Sequence, residues 1–133
     1  MYNHDYASPL VMTYPVPAVN LVGAAAIDLR IGGPEGMVGR VVAVTAAIST
    51  AVTVAASTVT IGIVGTVDTY ATLPVPIQAA NTVANANLVN LCTDANLIPA
   101  DSIVHVGNSG GSTAGVADVY VTIAWFTQAA QAV

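Results

Sequence analysis

The fold class that the sequence predicts is all-β: an antiparallel β-sandwich, jelly-roll-like in its connections, with an extended N-terminal arm. Several segments alternate apolar and polar side chains with a period of two, which is typical of half-buried strands. These segments are rich in Val, Ile and Thr, and Gly- and Pro-rich turns separate them. No long segment shows the helical period. A partly open barrel is the alternative that such short strands leave open.

The central segment of the chain, residues 41–67, holds no charged residue in 27 positions. It is longer than the roughly 20 apolar residues that cross a bilayer as a helix. Thr and Ser occur throughout it, however, and β-branched side chains suit a pleated surface better than a helix. Alternation with a period of two is visible around residues 42–49 and again around residues 58–63. We therefore expect two strands joined by a small-residue connection at residues 50–56.

The composition bounds the function of the chain. Only 7% of its 133 residues are charged and 55% are hydrophobic, whereas a typical soluble domain has about 25% charged residues. Arg30 and Arg40 are the only cationic residues besides histidine, and the formal net charge is -5. This balance argues against direct nucleic-acid binding. It predicts that other copies of the chain, or a larger assembly, cover part of the surface; a monomer solubilised by Thr, Ser and Asn is the alternative.

Residues 1–23 are predicted to form the extended arm. Their three prolines disfavour both a helix and a central strand. The tyrosines of this segment are candidate partner-binding residues, because tyrosine is a common interface anchor: Tyr2, Tyr6 and Tyr14. A disordered terminus is the alternative. The segment lacks the basic and long apolar regions of a secretory signal, so we expect assembly in a cytoplasm.

Residues 24–31 alternate and are predicted to form a half-buried strand. A Gly- and Pro-rich turn follows at residues 32–36, and the chain is expected to return through residues 37–49. Arg30 and Arg40 flank this turn. We expect a local surface ion pair with Asp28 or Glu35 rather than an anion-binding site.

After a strand at residues 57–65, residues 66–71 are predicted to be a polar link. Two prolines make residues 73–77 an edge or loop segment. Residues 78–90 are weakly patterned, and both a short helix and a strand at residues 88–91 remain open.

The clearest pattern lies near the C-terminus. A strand is predicted at residues 102–107, a flexible loop at residues 108–115 and an alternating strand at residues 117–125. We expect the two strands to pair as a hairpin with one face in the core, where Trp125 is the largest side chain.

No motif indicates catalysis. His4 and His105 lie in no nucleophile context such as G-x-S-x-G. Asp94, Asp101 and His105 are close in sequence, but their spacing matches no metal-ligand pattern. The single cysteine, Cys92, allows no internal disulfide and is expected to be a buried apolar residue. We therefore expect no enzyme, no metal site and no cofactor.

Four segments of the chain resemble small virion proteins of tailed bacteriophages, which are capsid decoration (cement) proteins or structural proteins of unassigned role. The segments are DLRIGGPEGMVGRVV at residues 28–42, TVTIGIVGTVDTYATL at residues 58–73, LIPAD at residues 97–101 and VYVTIAWF at residues 119–126. The resemblance covers residues 24–126, and the proline-rich N-terminal segment lies outside it.

The resemblance implies a β-sandwich domain at residues 24–126, between the arm and a short tail at residues 127–133. It also implies a subunit, commonly a trimer, that sits on the outside of an icosahedral head and bridges major capsid protein subunits. Such a protein would be located in the virion and would contact neither nucleic acid nor membrane. The uncharged Thr/Ser/Ala face of the central segment, with Thr45 and Ala47, is expected to lie against neighbouring copies or the shell. The alternative is a head or tail fibre module that binds a host-surface receptor through loops such as residues 108–115.

Overall fold

The computed structural model of the chain describes residues 10–23, 26–87 and 97–127. The regular structure of these residues is all β-strand, which confirms the predicted all-β class. The strands are β1 (Leu10–Asn20), β2 (Ala26–Gly32), β3 (Val38–Thr53), β4 (Ser57–Ile63), β5 (Thr66–Val75), β6 (Thr82–Asn87), β7 (Ile98–Pro99), β8 (Asp101–Gly110) and β9 (Ala114–Phe126).

The strands form two antiparallel sheets. Sheet A has the order β1-β9-β3-β6, with the short β7 also paired to β3, and sheet B has the order β2-β8-β4-β5. Among the described strands, β4 and β5 are the only sequence neighbours that pair with each other. Most connections therefore carry the chain from one sheet to the other.

The two sheets enclose one hydrophobic core, because alternate residues of each strand point inward. The longest strands contribute most clearly: β3 buries Val44, Ala46 and Ile48, and β9 buries every second residue from Ala117 to Trp125. Burial of these Val and Ile side chains stabilises the folded state by about 25 cal/mol for each Å² of apolar surface removed from water. The arrangement is that of a β-sandwich.

The uncharged central segment forms two strands, as predicted, and its last two residues begin a third, β5. Strand β3 continues to Thr53, and β4 begins at Ser57, so the connection is shorter than expected. Val54 in this connection has a φ of 74°, a conformation that β-branched residues rarely adopt. The two strands lie in different sheets. No helix in the described part of the chain is long and apolar enough to cross a membrane.

The prediction of an extended arm at residues 1–23 is wrong for the residues of this segment that the structure describes. Residues 10–20 form β1, which pairs with β9 at the edge of sheet A, and Val16 and Val19 are buried in the core. An edge strand tolerates Pro15 and Pro17 because one side of its backbone has no strand to bond. The pairing with β9 is irregular near these prolines: its register shifts between Val16 and Val19, and Ala18 has a φ of 56°. Residues 1–9 lie outside the described residues.

The polar link predicted at residues 66–71 is also wrong, since these residues begin β5. Tyr70, Ala71 and Leu73 are buried and fix this strand on the core. The expected edge position is confirmed, because β5 is the outer strand of sheet B and Pro74 lies within it. Neither a helix nor a loop follows at residues 82–87, which form β6. The alternative strand at residues 88–91 lies outside the described residues.

The predicted C-terminal hairpin is wrong in its pairing, although both strands exist. Strand β8 pairs with β2 and β4 in sheet B, whereas β9 pairs with β1 and β3 in sheet A. Alternation shows which face of a strand is buried, but it does not show which strand is its neighbour. The expected flexible loop is reduced to residues 111–113, where Ser112 is buried and Thr113 N donates to Thr53 O.

Trp125 closes one part of the core against two glycines. A Cβ atom at Gly33 would collide with its indole ring, and one at Gly39 would lie 2.6 Å from Ile123 Cγ2. Neither position has room for a side chain larger than hydrogen. The glycines are therefore required by the position of Trp125.

Gly39→Ala should lower the free energy of unfolding by about 1–3 kcal/mol, because the added methyl group overpacks against Ile123 and Trp125. Gly32→Ala is the matched control, since a Cβ atom there meets nothing within 4 Å. The control should change stability by less than about 0.5 kcal/mol. Urea unfolding followed by the fluorescence of the single tryptophan measures both. Equal effects would contradict the close packing of Gly39 against Ile123 and Trp125.

Tyr70 makes stability depend on alkaline pH. It is 6% exposed, and this burial raises the pKa of its phenol above the ordinary value of 10.0. The folded state thus holds the phenol proton more tightly than the unfolded state. The contribution of the protonated phenol to stability is complete below the pKa of tyrosine in the unfolded state. It is lost as the pH rises through the pKa of Tyr70 in the folded state. We expect the free energy of unfolding to fall above about pH 10, and to fall less in Tyr70→Phe than in Tyr120→Phe; identical pH profiles would refute this.

Candidate functional site

The outer face of sheet A is the candidate site. It consists of the side chains of β1, β3, β6 and β9 that point away from the core, and its centre is formed by Thr13, Thr45, Ala47, Val83, Tyr120 and Thr122. Thr45 lies opposite Tyr120 on β9 and opposite Asn85 on β6, so three neighbouring strands meet at this residue. Because the strands are paired on both sides of β3, this face is rigid.

Hydroxyl groups on this face bond across neighbouring strands. Thr45 Oγ1 donates to Asn85 Oδ1 at 2.8 Å, and the hydroxyl oxygens of Thr13 and Thr122 are 3.1 Å apart. A polar group that already has a protein partner loses less when water is removed from it. Covering this face with another protein therefore costs less than its Thr content suggests.

Apolar side chains are exposed on the same face. Val11 is 57% exposed, Val83 is 56% exposed and Tyr120 is 40% exposed. Asp118 and Arg40 are the charged residues of this face within the described residues. Asp118 Oδ1 accepts a hydrogen bond from Ala18 N at 3.0 Å.

Arg40 lies toward one end of β3, opposite Ala124. Its guanidinium carbon sits 5.4 Å from the centre of the Phe126 ring, within the range of a cation–π contact. The face therefore carries a single charge beside its centre: Asp118, which lies opposite Ala47 and is hydrogen-bonded to the backbone of β1.

Two of the predicted partner-binding residues, Thr45 and Ala47, lie on this face, and both are half-buried. Tyr120 was not selected from the sequence, although the alternation of β9 places it outward, opposite in direction to Val119 and Val121. It is the largest exposed side chain of the face. An aromatic ring with a polar tip is the kind of group that anchors protein interfaces.

Tyr14 is placed differently from the predicted anchor on an extended arm. It is half-buried on the core side of β1, where its hydroxyl accepts a hydrogen bond from Trp125 Nε1 at 3.1 Å. The same hydroxyl donates to Met12 Sδ at 3.5 Å. Tyr14 therefore supports the core of its own subunit. Tyr2 and Tyr6 lie outside the described residues.

Titratable side chains meet on the outer face of sheet B. His105 Nδ1 lies 2.9 Å from Asp28 Oδ1, on directly opposite residues of β8 and β2. The described residues contain no group of three or more His, Cys, Asp or Glu side chains placed to hold a metal ion. Asp101 lies on the same strand as His105, and Asp94 is outside the described residues. Asp28 thus pairs with a histidine, and not with either arginine as expected.

No protein-family model matches the chain, and no curated protein or solved structure matches it either.

Tyr14→Phe should lower the free energy of unfolding by about 1–3 kcal/mol, because it leaves the buried N–H of Trp125 without its acceptor. Tyr120→Phe removes a hydroxyl from the surface and serves as the control, with an expected change below about 0.5 kcal/mol. Urea unfolding of the two variants measures the difference. A Tyr14→Phe variant as stable as the control would show that the hydrogen bond contributes nothing.

Proposed function

We propose that the chain is a structural virion protein that decorates an icosahedral bacteriophage capsid and stabilises it by bridging capsid subunits. The observation that carries this proposal is the outer face of sheet A, a rigid surface with exposed Val and Tyr side chains and a single charge beside its centre. A surface of this kind suits a lasting protein contact better than exposure to water. The resemblance of four segments to phage decoration proteins points in the same direction.

We further propose a jelly-roll topology for the two sheets. The strand orders support it: β1 lies beside β9 and β2 beside β8, so strands from the two ends of the chain are neighbours, while β4 and β5 form the central hairpin. Jelly rolls recur in viral capsid proteins. This topology supports a virion role, although the same fold serves other functions.

The proposed mechanism involves no catalysis. Each copy binds assembled shell subunits and not the separated ones, so binding stabilises the shell by mass action. The partners are the major capsid protein and other copies of this chain, in a homo-oligomer for which the resemblance implies a trimer. With a net charge of -5, the chain is suited to the capsid exterior, away from nucleic acid and membrane. It would assemble there in the host cytoplasm.

A receptor-binding fibre module is the alternative, and it would use exposed loops such as residues 108–115. Asn108 and Ser112 in this segment are 6% and 4% exposed. Ser57 Oγ donates to Ser109 O at 3.4 Å, which ties the segment to β4. A segment held in this way presents few side chains to a receptor, so the observations favour decoration.

Purified protein mixed with undecorated capsids tests the proposal. The capsids are those assembled from the major capsid protein encoded in the same genome as this chain. We expect the protein to sediment with the capsids and to raise the temperature at which they open. Absence of binding, together with binding to host cells or glycans, would replace decoration by receptor recognition.

Lysines at the centre of the candidate face test the contact itself. Thr45→Lys combined with Ala47→Lys should weaken capsid binding more than ten-fold, because two charges would have to be buried without partners. Thr72→Lys, on an exposed position of sheet B, is the control and should bind normally. Capsid occupancy is measured by sedimentation, and folding is checked by circular dichroism. Unchanged occupancy of the folded double variant would show that this face stays in water.

A further inference from the structure

Each sheet of the sandwich has two edge strands, and they differ in how well they are protected from pairing with another chain. Pro15 and Pro17 interrupt β1, and Pro74 interrupts β5; proline on an edge strand blocks the addition of a further strand. Strand β6 is the shortest of the four. Strand β2 contains no proline, and its register with β8 runs without a shift from Ala26 to Gly32. It is therefore the edge best suited to accept another strand.

We propose that β2 pairs antiparallel with β2 of a second copy, about a two-fold axis at Leu29, so that the two B sheets become continuous. The argument is charge complementarity. Asp28 and Arg30 are both exposed on the outer face of β2, with opposite charges two residues apart. When Leu29 faces Leu29 of the second copy, Asp28 of each copy lies opposite Arg30 of the other. Each copy thus supplies the aspartate of one ion pair and the arginine of the other, and the two pairs are equivalent.

The same charges exclude the neighbouring registers. Moving the axis by one residue places Asp28 opposite Asp28 of the second copy, or Arg30 opposite Arg30. Like charges directly opposite each other destabilise a strand pair. Only the register centred on Leu29 joins opposite charges twice, so the pattern specifies a single closed, two-fold contact.

Apolar and backbone groups would supply much of the affinity. In this register Ile27 lies opposite Ile31 of the second copy on the core side, and the 38% of Ile27 that is exposed would be covered. Backbone N–H and C=O groups along the outer edge of β2 would gain partners. Exposed ion pairs alone contribute little, so the charges act mainly by choosing the register.

The existing contacts of the charged residues leave them able to pair. Asp28 holds His105 Nδ1 through Oδ1, and its side chain is 60% exposed, so Oδ2 can accept from a guanidinium. Arg30 makes no hydrogen bond or ion pair with another described residue. Asp101 is the other charged group on this face of β8, opposite Gly32 at the end of the strand. The contact uses the edge of sheet B, is separate from the threefold contact that the resemblance implies, and does not depend on the proposed capsid function.

Reversing one charge at a time tests the proposal. In R30D alone or D28R alone, like charges face each other across the axis, and the dimer dissociation constant should rise at least ten-fold. An equimolar mixture of R30D and D28R should form a heterodimer, because every opposed pair is again of opposite sign. Sedimentation velocity of the full chain at micromolar concentration measures each mass, and circular dichroism confirms that each variant is folded. Wild-type protein that is monomeric, or folded variants that do not associate when mixed, would overturn the proposal.

A cross-link provides a second test that does not involve the charges. Residues facing each other across an antiparallel pair have Cα atoms about 4.5–5.5 Å apart, within the range that a disulfide spans. Leu29→Cys in a Cys92→Ser background should therefore give a covalent dimer when diamide is added. Thr72→Cys, on the opposite edge of sheet B, is the control and should remain monomeric on a denaturing gel. Equal cross-linking at the two positions would refute a specific contact at Leu29.

Discussion

The antiparallel pairing of β3 with β9 is the interaction on which the rest of the structure depends. These are the two longest strands, and they are paired from Val38 opposite Phe126 to Thr53 opposite Ala114. Their inward side chains form the centre of the core, and their outward side chains form the centre of the candidate surface. Every residue of an alternating strand points either into the core or out of the sheet. The register between β3 and β9 therefore decides both the packing of the core and the composition of the surface. The surface is thus as rigid as the core beneath it.

Local alternation predicted much of the fold, and its limits have a physical reason. Strands were correctly expected around β2, β3, β4, β8 and β9, because their residues meet a core on one side only. Their partners could not be read, since β8 and β9 adjoin in sequence but lie in different sheets. The prolines of β1 also misled, because they exclude a central strand and not an edge strand.

Alternation also predicted which residues of the candidate site point outward, but not the contacts between residues far apart in the sequence. Thr45 and Ala47 were placed outward by their parity alone. The position of Tyr14 depends on Trp125, which is 111 residues away, and the pair of Asp28 with His105 joins residues 77 apart. Contacts at such separations follow from strand order, which a period of two does not encode. Charge spacing within β2, by contrast, is local and could be read once that strand was known to be an edge.

The pairing of β1 with β9 constrains how the chain can fold. Leu10 is paired with Trp125, so the first described strand meets its only sheet partner at the far end of the sequence. During synthesis β1 must wait, with Val16 and Val19 unburied, until β9 has left the ribosome. Sheet A therefore closes only after β9 has been made, and its high contact order makes that step slow. A chain lacking charge over long segments is exposed to aggregation throughout this interval.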